Sequence, residues 1–289
     1  MGIYKSSEGK RKIMDFYNEA MKSWPVSYEE FIIETSYGKI YAVSSGKKDA
    51  PMLFLIHGSA SNSASWIGEA EKLSENFRII AVDVPGEPGK STEKRLNMNS
   101  DESGLWFREV VNYFNAEKFF LLGYSQGGWY ALKYSVLFPQ SLNGLILMAP
   151  GGVSPAPFSF IFKAVIYSFL GEKGTEKINK MVYGKKDPGE EVKKYTEIIM
   201  NNFSPRRDKV YIFSDYELGK LSMPVLTITG ENDLLCDTKK TVKRLRKNLR
   251  FYENCLLKNT GHLITGISET VSDFLLKKSS GCGNSQMTV

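Results

Sequence analysis

Short apolar runs recur along the middle of the chain, separated by segments of helical length. Met52–Ile56, Ile79–Val84, Phe119–Leu122 and Leu145–Ala149 are compact and apolar, with Gly or Pro a few residues on. Val225–Thr229 repeats the pattern and Cys255–Leu257 does so weakly. Runs of this length, spaced by helices, predict buried parallel strands in an α/β sheet. Upstream, Phe31–Glu34 and Lys39–Val43 flank Tyr37-Gly38 and predict an antiparallel hairpin at the sheet edge. Residues 8–23 and 267–278 carry the spacing of a first and a last helix, and the Gly/Ser/Asn-rich stretch from Ser279 predicts a disordered tail. Small and apolar residues from Ser125 to Phe138 predict a helix that Pro139 ends.

From Gly151 to Lys220 the alternation stops. No buried strand is evident; Phe158–Leu170 is rich in aromatic and branched residues, and a helical pattern returns near 190–202. This predicts a helical insertion over the C-terminal edge of the sheet. The expected division is 1–150 with 221–278 as the core, 151–220 as a helical cap, and 279–289 as the tail.

Composition narrows the partners. The charged fraction of 24% and net charge of +6 fit an ordinary globular surface, and no run of five like charges suggests a nucleic-acid arm. Three cysteines without a C-x-x-C pair imply free thiols and no zinc site. The N-terminus lacks the apolar core of a secretory signal, though it matches a loose myristoylation pattern that is common by chance. Phe158–Leu170 contains Lys163 and is too short to span a bilayer. A cytoplasmic protein without stable membrane insertion is the expectation.

Only two histidines occur, His57 and His262. Gly123-Tyr124-Ser125-Gln126-Gly127 lies between them, at a strand-to-helix junction. A turn there needs small neighbours, lifts the serine oxygen out of the sheet and aims the next N–H at the same point. A serine nucleophile requires a base near neutrality, normally histidine. His262 follows the last strand and a glycine; Asp233 follows the strand before, with Glu231 and Asp237 as competing acids. A carboxylate there can orient a histidine and stabilise its charged form.

These motifs resemble the α/β-hydrolase fold, whose triad runs Ser, acid, His. The resemblance spans roughly residues 30–278 and includes His57-Gly58, Asp83-Val84-Pro85-Gly86, the 123–127 turn, Gly230-x-x-Asp233 and Gly261-His262. It is nearest to bacterial carboxylesterases and C–C bond hydrolases with a helical cap after the sixth strand. It implies a mostly parallel eight-stranded sheet flanked by helices. Ser125, Asp233 and His262 become the implied triad, and the backbone N–H groups of Ser59 and Gln126 the implied oxyanion hole. His57 is expected to brace its loop. A serine at 125 argues for acyl transfer over the alkyl-ester chemistry of Asp-nucleophile branches.

The implied reaction is hydrolysis of a small to medium apolar ester, with a small-molecule partner, no metal or organic cofactor, and no nucleic acid. The same triad could cleave C–C or amide bonds or transfer acyl groups, and the fold also serves as a non-catalytic ligand receptor. Tyr124 and Trp129 are expected near the elbow as pocket walls, or else as packing that holds the cap to the core. Cys236 is expected to be inert. The loop Asp83–Ser91 is one residue longer than the family's usual D-x-x-G-x-G-x-S and carries an extra proline, which places Glu87 in a reshaped loop near the pocket.

Overall fold

The computed structural model describes residues 2–155, 157, 174, 177, 181–183, 187–206 and 208–280, with 278–280 as backbone only. The aromatic run 158–170 and the tail from 281 lie outside the described residues.

Eight strands form one sheet in the order β1-β2-β4-β3-β5-β6-β7-β8. They are β1 (Tyr28–Thr35), β2 (Gly38–Ser45), β3 (Met52–Ile56), β4 (Arg78–Val82), β5 (Phe119–Tyr124), β6 (Leu142–Met148), β7 (Val225–Gly230) and β8 (Tyr252–Leu257). Strand β2 pairs antiparallel with both β1 and β4, and every other pairing is parallel. The predicted hairpin is therefore real and β1 is an edge strand. Chain direction across the sheet reverses around β3, which lies between β4 and β5; ligands of open α/β sheets bind outside the strand C-termini at such a point.

Pleating divides the core in two. Phe54 and Ile56 of β3 face one cluster, Leu53 and Leu55 the other. The first cluster is covered by α3 (Glu102–Tyr113), α4 (Gln126–Leu137) and α7 (Thr238–Asn248), through Trp106, Phe107, Tyr134 and Leu245. The second is covered by α1 (Ser7–Met21), α2 (Ile67–Asn76) and α8 (Ser268–Ser280), through Tyr17, Leu73 and Val271. Helix α1 begins where the Ser6 hydroxyl accepts from the Gly9 N–H, and it buries Ile13, Tyr17 and Met21 at four-residue spacing. Helix α8 carries the backbone to Ser280, two residues into the stretch expected to be tail.

Between β6 and β7 the described residues hold α5 (Glu190–Asn202) and the short α6 (Asp215–Gly219), with no strand beyond an isolated bridge between Tyr4 and Phe203. Among the described residues no helix is long and apolar enough to cross a membrane.

Candidate active site

Ser125 occupies the turn between β5 and α4 with φ 53° and ψ −111°. Such a backbone is costly for a residue with a Cβ and persists only where its surroundings enforce it. Close packing enforces it here. A Cβ on Gly127 would lie 2.2 Å from the Ile56 carbonyl oxygen, and one on Gly123 would lie 2.4 Å from the Gly127 oxygen. Both positions must be glycine for α4 to descend against β3 and β5.

His262 and Asp233 meet Ser125 in a line. The His262 Nε2 lies 2.9 Å from Ser125 Oγ, and its Nδ1 lies 2.8 Å from Asp233 Oδ2. The other Asp233 oxygen, Oδ1, accepts from the N–H groups of Leu235 (2.8 Å) and Cys236 (2.9 Å). These two donors lock the carboxylate, and its side chain is fully enclosed. The competing acids are occupied elsewhere. Glu231 accepts from the Asn259 N–H, and Asp237 caps α7 by accepting from the Lys240 N–H.

The His262 ring is held on two sides. Tyr124 stacks on it at 5.7 Å between centroids, and the Tyr124 hydroxyl donates to the His262 carbonyl at 2.7 Å. Burial pushes the Tyr124 phenol well above its usual range, so it stays a donor. The N–H groups of His262 and Leu263 both donate to the Val182 carbonyl. Tyr124 is thus committed to the histidine.

Trp129 is placed differently from a pocket wall. It is completely buried, donates its indole N–H to the Tyr211 carbonyl at 2.9 Å and packs on Phe213. Its neighbours belong to the segment between β6 and β7, so it fills the role of packing that segment onto the core.

The loop after β3 lies against the elbow: a Cβ on Gly58 would be 3.5 Å from Ser125 Cβ. Ser59 follows and is exposed. Gln126 is the first residue of α4, where the N–H has no intrahelical partner. His57 is buried with both ring nitrogens engaged. Val84 N–H donates to Nε2 at 2.9 Å, so the proton sits on Nδ1, which donates to the Gly58 carbonyl at 2.8 Å. Burial holds its pKa below 6.5. The ring ties the β3 loop to the β4 loop, as expected of a bracing residue.

Cys236 is enclosed near Pro150 and Thr241, and burial pushes its thiol up to about 12, which suits an inert side chain. Sequence reasoning placed Glu87 near the pocket without a function. In the structure it is 2% exposed and accepts from the Ala60 N–H and the Gln126 side chain. It also missed Glu69, whose buried carboxylate accepts from the N–H groups of Gly266, Ile267 and Ser268 and from the Ser268 hydroxyl, capping α8 from across the fold. Only an acidic residue among apolar neighbours on α2 could have signalled it.

A sequence model of the alpha/beta hydrolase fold matches residues 51–171. The chain is 26% identical over 257 residues to the uncharacterized carboxylesterase nap of Bacillus subtilis, covering 86% of this chain and 85% of that one. It is 25% identical over 261 residues to carboxylesterase YbfK of the same organism, covering 86% of each. The crystal structure of the Bacillus subtilis naproxen esterase superposes with a TM-score of 0.82 at 25% identity, over 93% of this chain and 99% of that one.

Proposed function

From a chain that has the α/β-hydrolase fold and resembles bacterial carboxylesterases, we propose a serine esterase that cleaves a carboxylic ester through an acyl-enzyme on Ser125. The observation that carries this reading is the unbroken line from Ser125 Oγ to His262 Nε2, and from His262 Nδ1 to Asp233.

Ser125 Oγ attacks the ester carbonyl as its proton passes to His262 Nε2. Asp233 accepts from Nδ1–H throughout and stabilises the imidazolium. The negative charge moves to the carbonyl oxygen, which receives the backbone N–H groups of Ser59 and Gln126. One such donor is worth about 10²–10³ in rate. The tetrahedral intermediate collapses, the C–O bond to the alcohol breaks, and His262 returns the proton to that alcohol. Water then repeats the sequence on the acyl-enzyme and frees the acid and Ser125. The chemistry needs neither a metal nor an organic cofactor. The substrate class is a small to medium apolar ester, the residues between β6 and β7 form its cover, and the compartment is the cytoplasm.

Hydrolysis of p-nitrophenyl acetate and butyrate by the wild type and Ser125→Ala tests this. The expected result is turnover that Ser125→Ala loses while its circular dichroism is unchanged. Equal rates in the two proteins remove Ser125 as the nucleophile. No turnover in either redirects the triad to C–C or amide bonds, or the fold to ligand binding.

A further inference from the structure

Glu87 is a buried carboxylate whose two oxygens point to different parts of the site. Oε2 accepts from the backbone N–H of Ala60 at 2.7 Å, and Oε1 accepts from the side-chain amide of Gln126 at 2.9 Å. Ala60 is the residue after Ser59, and Gln126 is the residue after Ser125. The carboxylate therefore spans the crevice between the β3 loop and the first turn of α4.

The surroundings fix this bridge. Ala60 holds φ 55°, a left-handed backbone that an alanine adopts only under constraint. Its N–H is taken by Glu87, and its carbonyl accepts from the Tyr195 hydroxyl of α5 at 3.2 Å. On the other side, the Asn62 side chain donates to the Pro88 carbonyl, pinning the loop that carries Glu87 to the loop that carries Ala60. Arg206 and Arg95 lie near enough to act on the Glu87 charge, while burial opposes that charge and raises its pKa. A carboxylate that is costly to bury stands where a neutral side chain would have packed more cheaply.

We propose that Glu87 is a positioning residue for the oxyanion hole, fixing the separation and direction of the Ser59 and Gln126 N–H groups by bridging the Ala60 backbone to the Gln126 amide. The longer loop 83–91 is what brings it there. This rests on the esterase reading above, because only an oxyanion forming between those two N–H groups makes their separation matter. A misplacement of about 1 Å in a reacting geometry can cost 10²-fold. The effect falls on kcat, since the donors tighten on the transition state more than on the ground-state carbonyl.

Three variants test it with p-nitrophenyl acetate. Glu87→Ala removes both links and is expected to lower kcat about 100-fold, with KM within threefold. Glu87→Gln can keep both links, because its oxygen still accepts from Ala60 and its NH₂ can donate to a rotated Gln126 amide. Its kcat is expected within threefold of wild type, with a melting temperature at or above wild type. Gln126→Ala cuts the bridge from the other end without touching the Gln126 N–H and is expected to lower kcat about tenfold. It serves as the decisive variant if Glu87→Ala does not fold. Wild-type kcat in a folded Glu87→Ala or in Gln126→Ala overturns the inference. So does a loss in Glu87→Gln equal to that in Glu87→Ala. A fluorophosphonate probe separates the two readings. If it labels wild-type Ser125 while the variants keep full kcat, the positioning role alone fails. If it does not label Ser125, the esterase reading fails and this inference with it.

Discussion

Replacing Asp233 with asparagine removes one charge and preserves the shape of the site, and the hydrogen bonds dictate how the new amide must sit. Two fixed backbone donors, the N–H groups of Leu235 and Cys236, both point at Oδ1. The asparagine oxygen must occupy that position, because an NH₂ there would face two donors. The NH₂ is left facing His262 Nδ1, now at the 2.8 Å contact that Oδ2 holds in the wild type. Nδ1 must then accept, the ring proton moves to Nε2, and Nε2–H points at Ser125 Oγ. A histidine in that tautomer cannot take the serine proton. The equivalent substitution in a serine protease lowers kcat about 10⁴-fold, which corresponds to about 5 kcal/mol of lost transition-state stabilisation. The same size of loss is expected here. Stability should change by less than about 1 kcal/mol, since both backbone donors keep their acceptor. Asp233→Ala should differ on that axis: it strands a buried N–H (Cys236) and a partly buried one (Leu235) and should cost about 2–4 kcal/mol of folding free energy. The assay is kcat on p-nitrophenyl acetate, paired with thermal melts followed by circular dichroism. An Asp233→Asn protein that keeps more than a tenth of wild-type kcat, alongside an inactive Ser125→Ala, would refute the tautomer argument. One as destabilised as Asp233→Ala would refute the amide orientation.

Other expectations follow from groups outside the triad. Glu69→Ala leaves three N–H groups and a hydroxyl at the start of α8 without their acceptor and should cost about 3 kcal/mol or more of stability, read as a lower melting temperature. His57 has a folded pKa below its unfolded 6.5, so its contribution to stability is full above about 6.5 and declines as pH falls toward the folded value. His57→Gln, whose oxygen can accept from the Val84 N–H, should flatten the dependence of the melting temperature on pH between 7.5 and 5; an unchanged slope would exclude His57 as its source. Glu87 acts with the opposite sign, because its raised pKa makes stability decline as pH rises through the folded value. Cys236, with its thiol pushed up to about 12, should resist iodoacetamide in the native protein and react once the chain is denatured, as mass spectrometry of the peptide would show.

The buried strands were legible because each is a continuous apolar run, as Met52–Ile56 illustrates by matching β3 at both ends. Strand β8 was faint because it lies at the sheet edge and mixes partly buried with exposed residues, so only Cys255–Leu257 forms a short apolar run within Tyr252–Leu257. Ser125, His262 and Asp233 were readable because their local contexts, a glycine-flanked turn and two strand ends, are short-range patterns. Asp233 is separated from its rivals by what no local pattern contains, the contact with a ring 29 residues away. Glu87 and Glu69 work through partners up to 39 and 199 residues distant, so their purpose existed only after folding. Trp129 had two expected roles from its place beside the elbow, pocket wall or packing, and only folding shows its ring buried against Phe213 and bonded to the Tyr211 carbonyl, the packing role.

The described residues between β6 and β7 include hydrogen-bond anchors for parts of the candidate site that lie outside that segment. Val182 receives the backbone of His262 and Leu263, and Tyr195 reaches the carbonyl of Ala60. For protein engineering this makes the segment a poor module. A chimera that borrows it from a relative to change the substrate range of the proposed esterase would exchange these anchors as well. Recombination breakpoints on either side of the segment would therefore need the Val182 carbonyl and the Tyr195 hydroxyl restored in the donor sequence, or the graft would alter turnover and selectivity together.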